Sequence, residues 1–385
     1  MKIAIIGGGP AGLYFARLRK LHHPSDHITV YEQNPAGRTF GFGVSIADKA
    51  VGRYGAADPV LAQRIASATV PLPDQRISID AQNYCLTSTQ SGAGIARQNL
   101  LNIMAEACLE VGVAIEYNAR IDMPNVLNAH DLVVGADGAN SVVLTNAVDY
   151  FAPSYGLLTT RFAWYGVARS LPEAGLSFKR KGPWRFVGHY YPYTDQLSTF
   201  VAEVDGSTWD GGFSDLSDTE RKQLFEDVFA DELQGQRLVE NRSIWRQFRF
   251  VDNAHWACGK QVLLGDALSV AHYSIGSGTR LAMDDALALF DAFEAAHDDV
   301  LDALALYEAT RRPVREKLMN AARRSWDWYE GFRQHMELPL LDFIYAFMTR
   351  TGRIDDERLA RAVPTFAADY AAYRASLGEV ALPQS

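Results

Sequence analysis

Three stretches of this chain put glycines and carboxylates where packing alone has no use for them. "KIAIIGGGPAGLYFARLRKL" sets Gly7, Gly9 and Gly12 after an apolar run, and the next apolar run, "HITVYE", ends on Glu32, twenty positions beyond Gly12. "DLVVGADGANSVV" delivers Asp137 and Gly138 at the end of a third run. "VLLGDALSVAHYSIGSGTRLAMDD" delivers Gly265 and Asp266, then offers Gly276, Ser277, Gly278 and Thr279.

The chemistry this set suits is the binding of a dinucleotide. In a Gly-x-Gly-x-x-Gly turn, Gly7 makes the bend, Gly9 lets the backbone approach a pyrophosphate and Gly12 lets helix pack on strand. Pro10 and Ala11 open the helix, whose N-terminus offers unpaired N–H groups and partial positive charge to the phosphates. Glu32, followed by Gln33, stands where a carboxylate accepts hydrogen bonds from the adenosine ribose, and its charge disfavours a ribose bearing a further phosphate. From this segment alone FAD and NAD both remain open. Two more strands ending in Asp beside Gly fit a long, polyhydroxylated ligand, because an aspartate gains nothing from a core position.

The elements that must carry these residues follow from periodicity. The apolar runs read as buried strands; Leu13, Ala16 and Leu21, and then Leu100, Leu101, Met104, Ala107, Cys108 and Val111, recur at helical spacing. Residues 160–257 are instead rich in strand-formers and aromatics ("RFAWYGVAR", "WRFVGHYYPY", "LSTFVAEV", "IWRQFRF"). There His189, Tyr191 and Tyr193 share a face if the strand is regular. The expected fold is α/β: a Rossmann-like cofactor domain from 1–70, 93–159 and 258–310, interleaved with a β-sheet substrate domain from 71–92 and 160–257. Helices from 311 to 385, carrying Trp326, Trp328, Tyr329, Phe332 and Phe343, are expected to cover the cofactor domain or a dimer partner.

At 385 residues two interleaved cores are the natural expectation. The formal charge of -9 argues against a general affinity for nucleic acid or anionic membrane. Cys85, Cys108 and Cys258 are odd in number and far apart, which fits reduced thiols in a cytoplasm. The first residues read as entering a strand directly, so no signal peptide is expected; no apolar run is long enough for a membrane span, and no metal-ligand spacing occurs.

The glycine fingerprint, "ADGANS", "LLGDA" and "LYEATRRP" together resemble the flavoprotein aromatic hydroxylases of the para-hydroxybenzoate hydroxylase fold, over nearly the whole chain. "FGFGVSI", "YYPYTDQLSTFVAEVD", "AHYSIGSGTRLAMDDA" and "FMTRTGRI" are most similar to the subgroup of salicylyl-CoA 5-hydroxylase, 2-aminobenzoyl-CoA monooxygenase/reductase and the violacein-pathway hydroxylase. The chain departs from the family at Ser269 (commonly His), Ser274 (Pro), Arg280 (Asn) and Leu144 (Arg).

The resemblance implies FAD as cofactor, with Arg38 and Arg97 among the binding residues and Arg97 facing the pyrophosphate. Asp266 would accept from the ribityl chain. The Gly276–Thr279 stretch would bring a helix N-terminus against the flavin edge that becomes anionic on reduction. NADPH or NADH would reduce the flavin; dioxygen would add to give a flavin hydroperoxide, whose distal oxygen passes to an aromatic acid, an aryl-CoA thioester or a heteroaromatic ring. Two other readings stay open: a flavin oxidoreductase that inserts no oxygen, and a non-catalytic flavoprotein. Candidate catalytic residues are His272, His189 and Tyr191, with His272 either positioning the substrate or taking a proton from its hydroxyl or amino group. "FKRKGPWR" reads as a solvated hairpin tip or, as the relatives suggest, a docking point for coenzyme A phosphates. A monomer or homodimer is expected.

Overall fold

The computed structural model describes residues 1–39, 41–89 and 92–380. Strand Lys2–Ile6 lies at the centre of a sheet, parallel to His27–Glu32 on one side and Leu132–Gly135 on the other. Ala114–Tyr117 and Gln261–Leu263 extend it outward in parallel, and Ala257–Cys258 adds a short antiparallel edge. The runs are apolar throughout because both faces of such a sheet are covered. The chain steps outward from Lys2–Ile6 to Ala114–Tyr117 and then returns to the other side at Leu132–Gly135. The crevice past the strand ends at that reversal is where open α/β sheets take ligands. Helices Pro10–His22 and Gly278–Ala295, which both start at this crevice, pack against each other.

The second layer is an eight-stranded sheet in the order Leu238–Glu240, Pro153–Val167, Ser198–Val204, Trp184–Pro192, Ala174–Lys181, Gln75–Ile79, Gln82–Leu86, with Arg246–Asn253 also paired to Pro153–Val167. Phe186, Tyr190, Phe200 and Ala202 turn to one face and pack with Phe225 of helix Asp218–Val228 and with Phe229, which follows it. Ile77, Leu176, Phe178 and Val187 pack with Trp328, Phe332, Phe343 and Phe347.

The structure differs from the expected divisions in three places. Strand Pro153–Val167 begins inside the segment assigned to the cofactor domain. Helix Val300–Glu330 runs through residue 311 with Pro313 inside it. The C-terminal rings chiefly cover the β-sheet; only Trp326 among those named joins the cofactor-domain core, stacked on Phe250 at 5.3 Å. Apolar periodicity fixes that a helix face is buried, not which sheet buries it. No helix among the described residues is long and apolar enough to cross a membrane.

Candidate active site

At the carboxyl ends of the parallel strands lies a cleft of about 860 Å³. Its wall includes Gly7, Gly9, Pro10 and Ala11 from the first junction, Glu32 and Gln33 from the second strand, and Asp137 from the third. Arg97, Gly265, Asp266, Gly278 and Thr279 complete the predicted set on this wall. Arg38 lines a side recess of about 180 Å³ that shares Gly9, Glu32 and Arg97 with the cleft.

Each glycine of the first turn has a steric reason. Gly7 has φ +108°, and a Cβ there would run into the Ala136 carbonyl. At Gly12 a Cβ would strike the Gly7 carbonyl oxygen and come within 2.9 Å of Ile5 Cγ2, so Gly12 lies under the turn and lets it close. Glu32 fixes the neighbouring loops: Oε2 accepts from Gly8 N at 2.8 Å, and Oε1 accepts from Asn34 N and Nδ2 at 2.8 and 2.7 Å. Oε2 keeps a lone pair for a further donor.

Asp137 accepts from Val142 N through Oδ2 at 2.7 Å, while its buried Oδ1 has no partner among the described residues. Burial raises its carboxyl above the ordinary range. Asp266 is exposed because the cleft reaches it, yet the surrounding protein also raises its pKa, opposed by the charges of Arg315 and Arg97. Arg97 donates through Nε to Thr39 Oγ1 at 3.2 Å, and burial lowers its pKa against the pull of Asp266.

The Gly265 turn (φ +58°) is held from behind by Asp285, fully buried, which takes Gly265 N at 3.1 Å, Arg311 Nε at 2.8 Å and Arg315 Nη1. Arg315 also donates to the Gly265 and Ser269 carbonyls at 3.1 and 2.7 Å. Gly276 takes up φ +55° beside Ser45. Ser277 does not cap the next helix; its hydroxyl donates to the Ile275 carbonyl at 3.0 Å, so the helix end reaches the cleft without a side-chain cap. A glycine cradle, an orphaned carboxylate oxygen and an uncapped helix start along one cleft fit FAD. Asp266→Ala is expected to weaken FAD retention by about ten- to a hundredfold, the worth of one hydrogen bond to a charged group; fluorescence titration of apoprotein with FAD measures it.

Asn118, Ala119, Arg120 and Ile121 also line the cleft, as do Asn140 and Val142. The sequence reading missed them, although the first four directly follow strand Ala114–Tyr117, and that position past a parallel strand was the available signal.

On the facing layer, His189 and Tyr191 share one face with ring centroids 5.3 Å apart, and Tyr191 donates to the Gly43 carbonyl at 3.1 Å. Tyr193 lies just beyond the strand end, buried against Gly43 and Gly94. A Cβ on Gly41 would stand 2.8 Å from Trp164 Cζ3, so the segment around Gly41 and Gly43 lies directly on these rings. Phe162, Trp164, His189 and Tyr191 are half-buried, and Tyr273 approaches Phe162 at 4.7 Å.

His272 is fully buried, between Phe248 at 4.6 Å and Tyr273 at 4.2 Å. Its Nδ1 receives Ser274 N at 3.3 Å and meets Ser274 Oγ at 2.7 Å; Ser274 Oγ meets Ser325 Oγ at 2.7 Å, which accepts from Arg350 Nε at 3.0 Å. These bonds are satisfied together when Ser325 donates to Ser274 and Ser274 to Nδ1, with the histidine proton on Nε2. Neither ring nitrogen then offers a lone pair to a substrate proton. In that arrangement His272 props the turn before Gly276.

Burial, reinforced by the charge of Arg350, lowers His272 to about 3 and His189 to about 4, so both are neutral at neutral pH. Burial raises Glu203 to about 8. The histidines contribute stability that is full above their unfolded value of 6.5 and is lost as pH falls towards 4 and 3. Glu203 contributes stability that is full below its unfolded value of 4.5 and is lost as pH rises through about 8. Melting temperature should accordingly fall on both sides of the range between, and Glu203→Gln should flatten the alkaline slope alone.

No family model matches the chain. It is 36% identical over 365 residues to a salicyloyl-CoA 5-hydroxylase of Streptomyces sp, covering 91% of this chain and 70% of that protein. It is 35% identical over 360 residues to the 3-hydroxy-4-methyl-anthranilyl-[aryl-carrier protein] 5-monooxygenase of Streptosporangium sibiricum, covering 94% and 97% of the two chains. The fold matches that of P. aeruginosa PqsL in complex with 2-aminobenzoylacetate, with a TM-score of 0.67 at 19% identity over 86% of this chain and 96% of the other. With relatives at 36% and 35% identity along almost its whole length, the chain belongs to the FAD-dependent aromatic hydroxylases of the para-hydroxybenzoate hydroxylase fold.

Proposed function

We propose that this chain hydroxylates an aromatic ring presented as a thioester, of coenzyme A or of a carrier protein, using NADH or NADPH and dioxygen. Two relatives above 30% identity, whose names specify an aryl thioester of each kind, support the thioester. The observation that carries the reading is the half-buried face of Phe162, Trp164, His189 and Tyr191, where Phe162 meets Tyr273 of the loop that leads to Gly278. Bound FAD supplies electron transfer from the nicotinamide and activation of dioxygen; the protein orients the ring and excludes water. Gly7 to Gly12, Glu32, Asp137, Arg97, Asp266 and Gly278 hold the cofactor in this reading. His189 and Tyr191 contact the ring, and residues 160–257 form most of the substrate layer.

The basic stretch contributes little. Lys179 pairs with Glu232 at 2.8 Å and Arg180 with Asp80 at 2.5 Å, so two of its four charges are already compensated. We place the reaction in the cytoplasm, in keeping with three free cysteines.

The test incubates holoenzyme with salicyloyl-CoA or 2-aminobenzoyl-CoA, NADH or NADPH, and ¹⁸O₂. One labelled oxygen in the ring is expected. Nicotinamide oxidation that ignores the aromatic compound, with no label in any product, supports instead an oxidoreductase that inserts no oxygen.

A further inference from the structure

Among the described residues Arg350, the residue after helix Leu340–Thr349, lacks the carboxylate partner that each of the four buried arginines has. Arg17 pairs with Asp58, Arg19 with Asp26, and Arg311 and Arg315 with Asp285. Arg350 lies over the Phe347 ring at 3.8 Å and donates to Ser325 Oγ, to the Phe347 carbonyl at 2.7 Å and to the Ser274 carbonyl at 2.8 Å. Those acceptors are all neutral, and among the described residues no carboxylate is paired with it. Taking a guanidinium from water without a counter-charge is costly. Two of its five N–H groups remain for another acceptor.

Its position gives that charge a use. The bond to Ser274 ties it to the loop that runs into Gly276, Ser277 and Gly278, and its field reaches His189 on the facing sheet as well as His272 and Tyr329. Glu203 stands on the same sheet face as His189, since Val201 is the cross-strand partner of His189 and lies two residues from Glu203. Burial keeps Glu203 protonated at neutral pH, so it supplies no counter-charge. Among the described residues no counter-charge is supplied, and the group is half-buried rather than sealed in.

We infer that Arg350 receives an oxyanion carried on the substrate's aromatic ring, a phenolate or a carboxylate, and so positions the ring against the loop before Gly276. Resting on the aromatic-hydroxylase reading above, this names the chemistry of its substrate more closely. A phenolate held ionised by the guanidinium also makes the ring more nucleophilic, which transfer of oxygen to it requires. The arrangement suits a planar fork better than an ammonium.

The test titrates FAD-loaded protein with benzamide, benzoate and salicylamide, following the flavin spectrum and, for salicylamide, the ultraviolet band that separates phenol from phenolate. Wild type is expected to bind benzoate or salicylamide about tenfold or more tightly than benzamide, the worth of one charge-assisted bond. Preference for benzoate identifies a carboxylate as the source, and salicylamide bound as its phenolate identifies a ring hydroxyl. Arg350→Met should abolish the preference, and Arg350→Lys should retain part of it. If the methionine variant fails to hold FAD, the lysine variant decides, since an unchanged preference there overturns the assignment. Equal binding of all three probes by wild type, no binding of the two oxygen-anion probes, or a preference that survives Arg350→Met also overturns it. Because these are binding measurements, they stand whether or not the thioester incorporation experiment succeeds.

Discussion

Arg315→Met is expected to lose about 3–5 kcal/mol of stability and to yield protein without FAD, because it breaks one side of a buried ion network. Asp285 and Arg315 are 0% and 2% exposed, so the carboxylate cannot recruit water when its partner goes. Arg311 still holds Oδ1, but Oδ2 loses Arg315, and the carbonyls of Gly265 and Ser269 lose their donor together. The turn that presents Asp266 to the cleft is thus held by residues fifty positions along the chain, on the helix Val300–Glu330. Urea unfolding and the ratio of flavin to protein absorbance measure the two effects. If the variant keeps wild-type stability and full flavin content, the turn does not depend on this network. Arg311→Met, which spares the carbonyl contacts, should be the milder of the pair.

Gly12→Val is expected to destabilise the protein by about 1–3 kcal/mol and to abolish FAD binding, since the added atoms meet backbone that cannot step aside. The Cβ alone would strike the Gly7 carbonyl and approach Ile5 Cγ2 at 2.9 Å, so the helix Pro10–His22 has to withdraw from the strand. Withdrawal takes its N-terminus away from the pyrophosphate position. Gly278→Ala is the informative contrast. A Cβ there meets nothing within 4 Å, so the protein itself should fold with wild-type stability. Loss of FAD affinity in that variant would report crowding of the bound cofactor alone. Paired melting curves and FAD titrations of the two variants separate the steric effects.

The three junctions were legible in the sequence because each signal is local. A glycine that must bend, or an acid at a strand end, betrays its task within a dozen residues. The identity of Gly7, Gly9, Glu32, Asp137 and Asp266 as cleft residues needed no knowledge of strand order. Asn118 to Ile121 escaped because their place depends on which strand neighbours His27–Glu32, a non-local fact. The chain His272, Ser274, Ser325, Arg350 escaped for the same reason, its members lying on three elements that meet only in the fold. "FMTRTGRI" was noticed for its resemblance, yet nothing within it says that its first arginine is unpaired. The hydrogen-bond direction at His272 is likewise something that sequence does not carry. The helices after Val300 were legible as amphipathic, but their cover, the β-sheet, was decided by packing of Trp328, Phe332 and Phe343 on Phe178.

The claim beneath all of this is that the glycine turn, Asp137 and Asp266 converge on one flavin cofactor. Equilibrium titration of the purified apoprotein with FAD, followed by visible absorption, tests it most directly. The account predicts a bound, yellow complex that saturates at one FAD per chain; a protein that stays colourless and takes up no FAD contradicts it.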